Sequence, residues 1–447
     1  MEFIEKFVIP QSSEHIQLLH YLAMLIFFLF VPFISMVFGG TVLSLFYRNR
    51  GAKENNQTYL KFSKEIIEVV TVNKGVGVII GIVPMLAAVL IYAQLLHLGN
   101  ILAVSYLSVS LLVITVSLIL IYTYRYSTTF SSVFSSVKNI KVDDTELKNE
   151  IDQLGAATKS VSMRSGNYGL LLLFISVWFF ISGITIATYP QEWGRTGLFS
   201  ILFSGSVLFR LFLFLAMAFT FTGGTILFRY FYWEGGKKGL NSEYSELVRN
   251  IGVKLTLYSG ILVPLFLAVT LFTLPDSAVS GALFGYTTLA LLLMFMSYHF
   301  LYYMLKNANT RFAGSLYIAL LIVIMAVVIK DQLAVDNATQ LQAVVLSNKY
   351  EEMMAQLTSE GKAPEQVSGE DIYNVRCSSC HAFDHKVVGP PYKETLPKYE
   401  GKEGELVKFI LNPVQNNPGY PIMPNPGLKP NEAQAVAKWL LSVYKTK

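Results

Sequence analysis

Cys377, Cys380 and His381, in the string VRCSSCH, are the residues of this chain whose types and spacing could do chemistry. They include the only two cysteines among 447 residues. Two thiols at this spacing lie on one helical turn and can form thioethers to two vinyl groups of one macrocycle. The adjacent imidazole then points at its iron, the arrangement of c-type haem attachment. Two other chemistries use the same residues. A zinc site would need further ligands, which the surrounding sequence lacks. A redox dithiol would need only the cysteines. The compartment decides between them, and the rest of the chain sets the compartment.

An iron bound by His381 needs a sixth ligand. Beyond His381 there is one Met, Met423, and one further His, His385. His385 is four residues on and cannot easily reach the opposite face of a haem. Met423 sits in GYPIMPNPGLKP, a proline-stiffened loop long enough to wrap the edge. Met/His ligation raises a haem's reduction potential. A closed six-coordinate iron carries electrons and does not bind substrate.

The elements that must carry this site are mostly apolar. Apolar residues make up 53% of the chain and charged residues 15%, in long uncharged blocks that indicate an integral membrane protein with a soluble appendage. The net charge of +5 gives no nucleic-acid signal, because the basic residues cluster beside the apolar blocks. Eight blocks reach the length of a membrane span, at 16–47, 76–97, 100–124, 168–189, 197–230, 255–274, 281–305 and 313–330. The first reads as a retained span, not a cleaved signal. Connections on one side hold nineteen Lys and Arg, against two, Lys6 and Arg195, on the other. The positive-inside rule therefore puts both termini, and everything after Lys330, outside the cytoplasm of a bacterial inner membrane. Haem is attached on that side, and idle thiols there would pair as a disulfide. The motif is accordingly read as binding haem c.

The apolar part repeats itself. FLFVPFISMVFGGTVL at 28–43 matches FLFLAMAFTFTGGTIL at 212–227, and Pro84 recurs as Pro264. The fold expected is all-α, with two four-helix repeats (about 1–190 and 191–330) side by side. Gly39-Gly40 and Gly223-Gly224 would allow close helix approach. The first and fifth spans exceed a bilayer's thickness, which would bring His15, His20 and Arg210 to the outer interface. Residues 331–366 read as a helical stalk with a hinge at Gly361 to Pro364, lifting a small α-helical domain, 367–447, on the order of 35 Å above the last span.

Residues 367–447 resemble a class I mono-haem cytochrome c. EDIYNVRCSSCH matches its amino-terminal helix and motif, VVGPPY its Gly-Pro turn, and NEAQAVAKWLLSVYK its carboxy-terminal helix. The resemblance implies haem contacts at Gly389 and Pro390 and helix packing through Trp439. The membrane part resembles subunit I of cytochrome bd quinol oxidases, on FFLFVPFISMVFGGTVLSLFYR (27–48) and TYLKFSKEIIEVVTVNKGVGVIIGIVP (58–84). It departs from that family where oxygen chemistry resides. Phe27 stands where a haem-ligating His is expected, the third span carries no Asp or Glu, and the Gly-Arg-Gln-Pro-Trp string is absent. Four membrane-part histidines remain. His20 and His97 are the candidate pair for a b haem near the outer face, against the commoner reading of interfacial histidines. His299 with Met36 is a weaker pair.

Two functions follow. The first is an electron-transfer subunit of a respiratory complex, with neighbouring membrane and periplasmic subunits and a redox partner protein. The second is a quinol-oxidising enzyme passing electrons from quinone chemistry in the bundle, through a b haem, to the c haem.

Overall fold

The computed structural model describes residues 10–446 except 98–100, 138–144, 194–196, 238, 358–367 and 416–418. The described residues are helical, with no strand. Eight helices are long and apolar enough to cross a membrane. They are α1 (Ser13–Lys53), α3 (Lys74–Leu95), α4 (Ile101–Val137), α5 (Thr145–Ala187), α6 (Gly205–Phe231), α7 (Ser242–Phe272), α8 (Gly281–Lys306) and α9 (Ala313–Leu357). Between α1 and α3 lies the amphipathic α2 (Gln57–Thr71), capped by the Asn56 side chain.

Within the first repeat α1 pairs with α2 and α3, and α4 lies along α5. Within the second, α6 pairs with α7 and α8 with α9. The repeats join along α1, α6 and α9, which pack on one another. Small residues set this seam. A Cβ at Gly39 would overlap Thr222 Oγ1 on α6, and one at Gly224 would lie 2.7 Å from Leu320 Cδ1 on α9. With little hydrophobic drive between helices in lipid, such close van der Waals contact carries association. At the α2 end of the bundle, Glu65 of α2 accepts hydrogen bonds from Tyr230 (2.7 Å) and Tyr244 (2.6 Å) and pairs with Lys237 (2.7 Å). Burial pushes the Glu65 carboxyl up, but these donors outweigh it and hold the group below its usual range. Glu65 thereby ties the first repeat to the second.

Three features depart from the sequence expectation. The fifth span starts at Gly205, not 197, because Ser204 caps it by accepting from the Val207 N–H at 3.3 Å. The 125–166 connection is largely helix, since α4 and α5 extend past the apolar blocks as a paired hairpin. The 331–366 segment does not lift the soluble domain on an exposed stalk. The last span and the stalk are one helix to Leu357, and Gln332, Ala334, Val335, Asn337, Ala338 and Thr339 on it are buried. Its apolar residues recur every three or four positions, enough for one buried face. Asn337 donates to the Ala278 carbonyl (3.0 Å), and Val344 enters the core of the soluble domain. The hinge proposed at Gly361 to Pro364 lies outside the described residues.

The soluble domain places α10 (Gly369–Ile372), α11 (Glu403–Leu411) and α12 (Pro430–Val443) around Leu396, Leu406, Val436 and Leu440. It rests against the side of α9. Asn348 bonds Gln434 at 2.5 Å, Lys429 pairs with Glu14 at 2.9 Å, and Leu341 packs on Gly404. The pairing with Glu14 raises the affinity of Lys429 for its proton.

Candidate functional site

Ser368 caps α10, accepting from the Asp371 N–H at 3.2 Å. The helix widens into a π turn over Tyr373–Cys377, closed by Ser378 N–H to the Tyr373 carbonyl at 2.8 Å. A π turn inserts one residue into the helical register and often marks a functional position. Here it ends on Cys377. The next turn is tied by the Cys380 and His381 N–H groups, both donating to the Cys377 carbonyl (3.1 and 2.9 Å). Cys377 is buried and Cys380 partly so. Burial pushes the Cys377 thiol up.

The Val388 and Gly389 N–H groups donate to the Cys380 carbonyl at 3.1 and 2.9 Å. That folds the VVGPP turn onto His381. His381 Nδ1 lies 3.1 Å from the Pro390 carbonyl. A carbonyl only accepts, so Nδ1 carries the proton and Nε2 keeps its lone pair for a metal. The Tyr392 ring stacks on the imidazole, centroids 5.0 Å apart and 17° from parallel. His381 and Met423 both line one cavity of about 290 Å³, with Cys377, Pro390, Tyr392 and Leu396 among its other walls. A cysteine sulfur at its edge with the second one turn away, an imidazole with a free nitrogen and a thioether on the same cavity are a donor set that fits a c haem. His385 is not in this set: it is exposed and bonds Asp384 at 2.7 Å.

Gly389 explains itself by space. A Cβ there would meet the His381 ring, with Nδ1 at 2.7 Å and Nε2 at 2.8 Å. Gly389→Val should therefore push the imidazole out of line, weakening iron ligation while both thioethers still form. A wild-type visible spectrum and potential in that variant would count against this role.

Sequence reasoning missed Tyr373 and Tyr392. Tyr373 donates to the His381 carbonyl (3.2 Å) and packs against Phe383 and Trp439. Tyr392 is half-buried, and desolvation pushes its phenol well above the usual range. The available signal was an aromatic residue directly after the Gly-Pro turn.

The membrane histidines are arranged otherwise than the b-haem expectation required. His20 turns Nε2 to Asp336 of α9 at 3.3 Å, and His15 bonds Gln94 at 3.1 Å. The cavity lined by Phe27, Arg210 and Gln332 has neither His20 nor His97 in its wall. His299 lies on an exposed face of α8. Arg210 does not reach outward: it is 6% exposed, with Nη2 3.4 Å from Thr188 Oγ1.

Residues 366–444 match the family model for cytochrome c. Over 72 residues the chain is 43% identical to cytochrome c-551 of Pseudomonas aeruginosa, covering 15% of this chain and 69% of that protein. It is 39% identical over 80 residues to cytochrome c-551 of Azotobacter vinelandii, covering 17% of this chain and 96% of that protein. A more distant match is cytochrome c-552 of Nitrosomonas europaea, 28% identical over 72 residues, 15% of this chain and 69% of that protein.

Proposed function

From a chain that belongs to the cytochrome c family through residues 366–444, we propose a membrane-bound electron-transfer subunit of a respiratory complex. Cys377 and Cys380 would hold haem c covalently, and His381 and Met423 would ligate its iron. Gly389 and Pro390 form the turn against it. The haem supplies one-electron oxidation and reduction at an iron closed to substrate. The protein's part is to keep that iron six-coordinate, dry on one side and beside the membrane. The observation that carries this reading is the single cavity lined by both His381 and Met423.

The domain's location on the outer face of the cytoplasmic membrane rests on the charge bias of the connections, nineteen basic residues against two. The eight-helix part, like the membrane part of a bd-type subunit I in its opening spans, would serve as anchor and as contact surface for other membrane and periplasmic subunits. Docking of the domain on α9 and on the start of α1 favours electron transfer from a fixed seat over delivery on a swinging stalk. Quinol oxidation through a b haem is the competing reading, and His20's bond to Asp336 counts against it.

The test is a pyridine haemochrome spectrum of the purified full chain, followed by mixing with quinol. We expect c haem alone, one per chain, and no quinol-driven reduction without partner subunits. A b haem in equal amount, with c-haem reduction by quinol, would overturn the proposal in favour of the quinol-oxidising enzyme.

A further inference from the structure

Arg210 is the feature of the membrane part that the electron-transfer role leaves unused. Its guanidinium lies inside the bundle with Nε and Nη1 lacking any hydrogen-bond partner. Both atoms are cut off from solvent. A desolvated guanidinium costs several kcal/mol unless its donors and its charge are met. The protein groups nearby do not meet them. Thr188 contributes one long contact, at 3.4 Å, to Nη2 alone. Asp331 faces the same cavity, but Lys330, 1% exposed, pairs with it at 2.9 Å. Among the described residues no carboxylate pairs with Arg210, so its positive charge faces the cavity unmatched.

Beside the guanidinium is a cavity of about 80 Å³. Its polar wall is Arg210, Asp331 and Gln332. The rest is apolar, including Phe27, Phe180 and Met217. A water molecule takes up about 30 Å³ of liquid and needs two to four polar partners to be held. Water could fill the space but would leave the excess charge unmet. An aromatic ligand the size of benzene occupies a cavity of about 150 Å³, which is too large here. We propose that this cavity binds a small monovalent anion, a halide or a short carboxylate, held by Arg210 where α1, α5, α6 and α9 meet.

The location gives the anion a consequence. Phe27 belongs to α1, Phe180 to α5, Arg210 to α6, and Asp331 and Gln332 to α9, so the ligand would bridge both repeats at their junction. Binding to the native state alone stabilises it in proportion to the logarithm of occupancy.

The experiment uses the full haem-loaded chain in detergent, with potassium bromide, chloride or formate exchanged for gluconate at constant ionic strength. The unfolding temperature of the membrane part, read by tryptophan fluorescence, should rise saturably by several degrees with the small anions and not with gluconate. Equilibrium dialysis with radiolabelled chloride should give one saturable site per chain, displaced by formate. Arg210→Lys keeps the charge but loses the planar fork, and should weaken uptake by about tenfold or more. Arg210→Met should abolish it. Dialysis of the unaltered protein decides the matter even if Arg210→Met does not fold. Absence of saturable uptake, the result for a cavity filled by water alone, overturns the proposal, as does uptake unchanged in Arg210→Lys.

Discussion

Serine at both Cys377 and Cys380 is expected to abolish covalent haem and to unfold the soluble domain. The first effect follows from chemistry, because a hydroxyl does not add to a vinyl group as a thiol does. The second follows from packing. Cys377 belongs to the buried core with Ile372, Leu406, Val436 and Leu440. The cavity beside it measures about 290 Å³. At about 24 cal/mol per Å³, such a void left in a variant sets a ceiling of about 7 kcal/mol of lost stability. A domain of about 80 residues has a total of roughly 4–12 kcal/mol to lose. Haem staining after denaturing electrophoresis reads the first effect and limited proteolysis of the intact membrane protein the second. The membrane part should stay folded, since its seam along α1, α6 and α9 does not involve these residues. A stained band surviving in the double variant would refute the attachment assignment.

Alanine at Met423 should leave the haem attached and open the sixth position. Cys377 and His381 line the cavity from the segment that follows α10, which also carries Cys380, while Met423 comes from the loop before α12, so the attachment half is untouched. The thioether is the ligand that favours the reduced iron. Its loss should lower the potential by on the order of a tenth of a volt or more, within the ~0.8 V that axial ligands span. The sulfur-to-iron charge-transfer band should vanish, and added cyanide or imidazole should bind where the wild type excludes them. A Met/His spectrum and an unchanged potential in this variant would exclude Met423 as the ligand. Gly389→Val acts through His381 and not through Met423, and the two variants together would separate the contributions of these two ligands.

The site was unusually open to sequence reading because its chemistry is local. Two thiols and an imidazole within five residues must share one turn whatever the rest of the fold does. Met423 could be singled out because no other Met follows the motif. The supporting residues were less legible. Tyr392 acts by stacking on His381, and Tyr373 by reaching its carbonyl from the preceding turn. Neither role depends on a spacing peculiar to that function, so an aromatic at either position reads only as core.

The number of membrane helices and the all-α class were determined by the sequence alone. Hydropathy is a property of each segment, and a bilayer demands about 20 apolar residues of each crossing. The partners of those helices were not determined by it. A polar stretch after Lys330 looked like a free stalk, since composition cannot say which face of a helix meets a neighbour. Only the tertiary structure laid that face against α1, the Ala278 turn and the cytochrome domain, through His20–Asp336, Asn337 and Val344. The same holds for Arg210. Its place near the start of α6 is written in the chain, but its inward direction is set by walls from α1, α5 and α9, more than a hundred residues away at the extremes. Burial of a side chain is a sum over neighbours remote in sequence, and that sum exists only once the helices have packed.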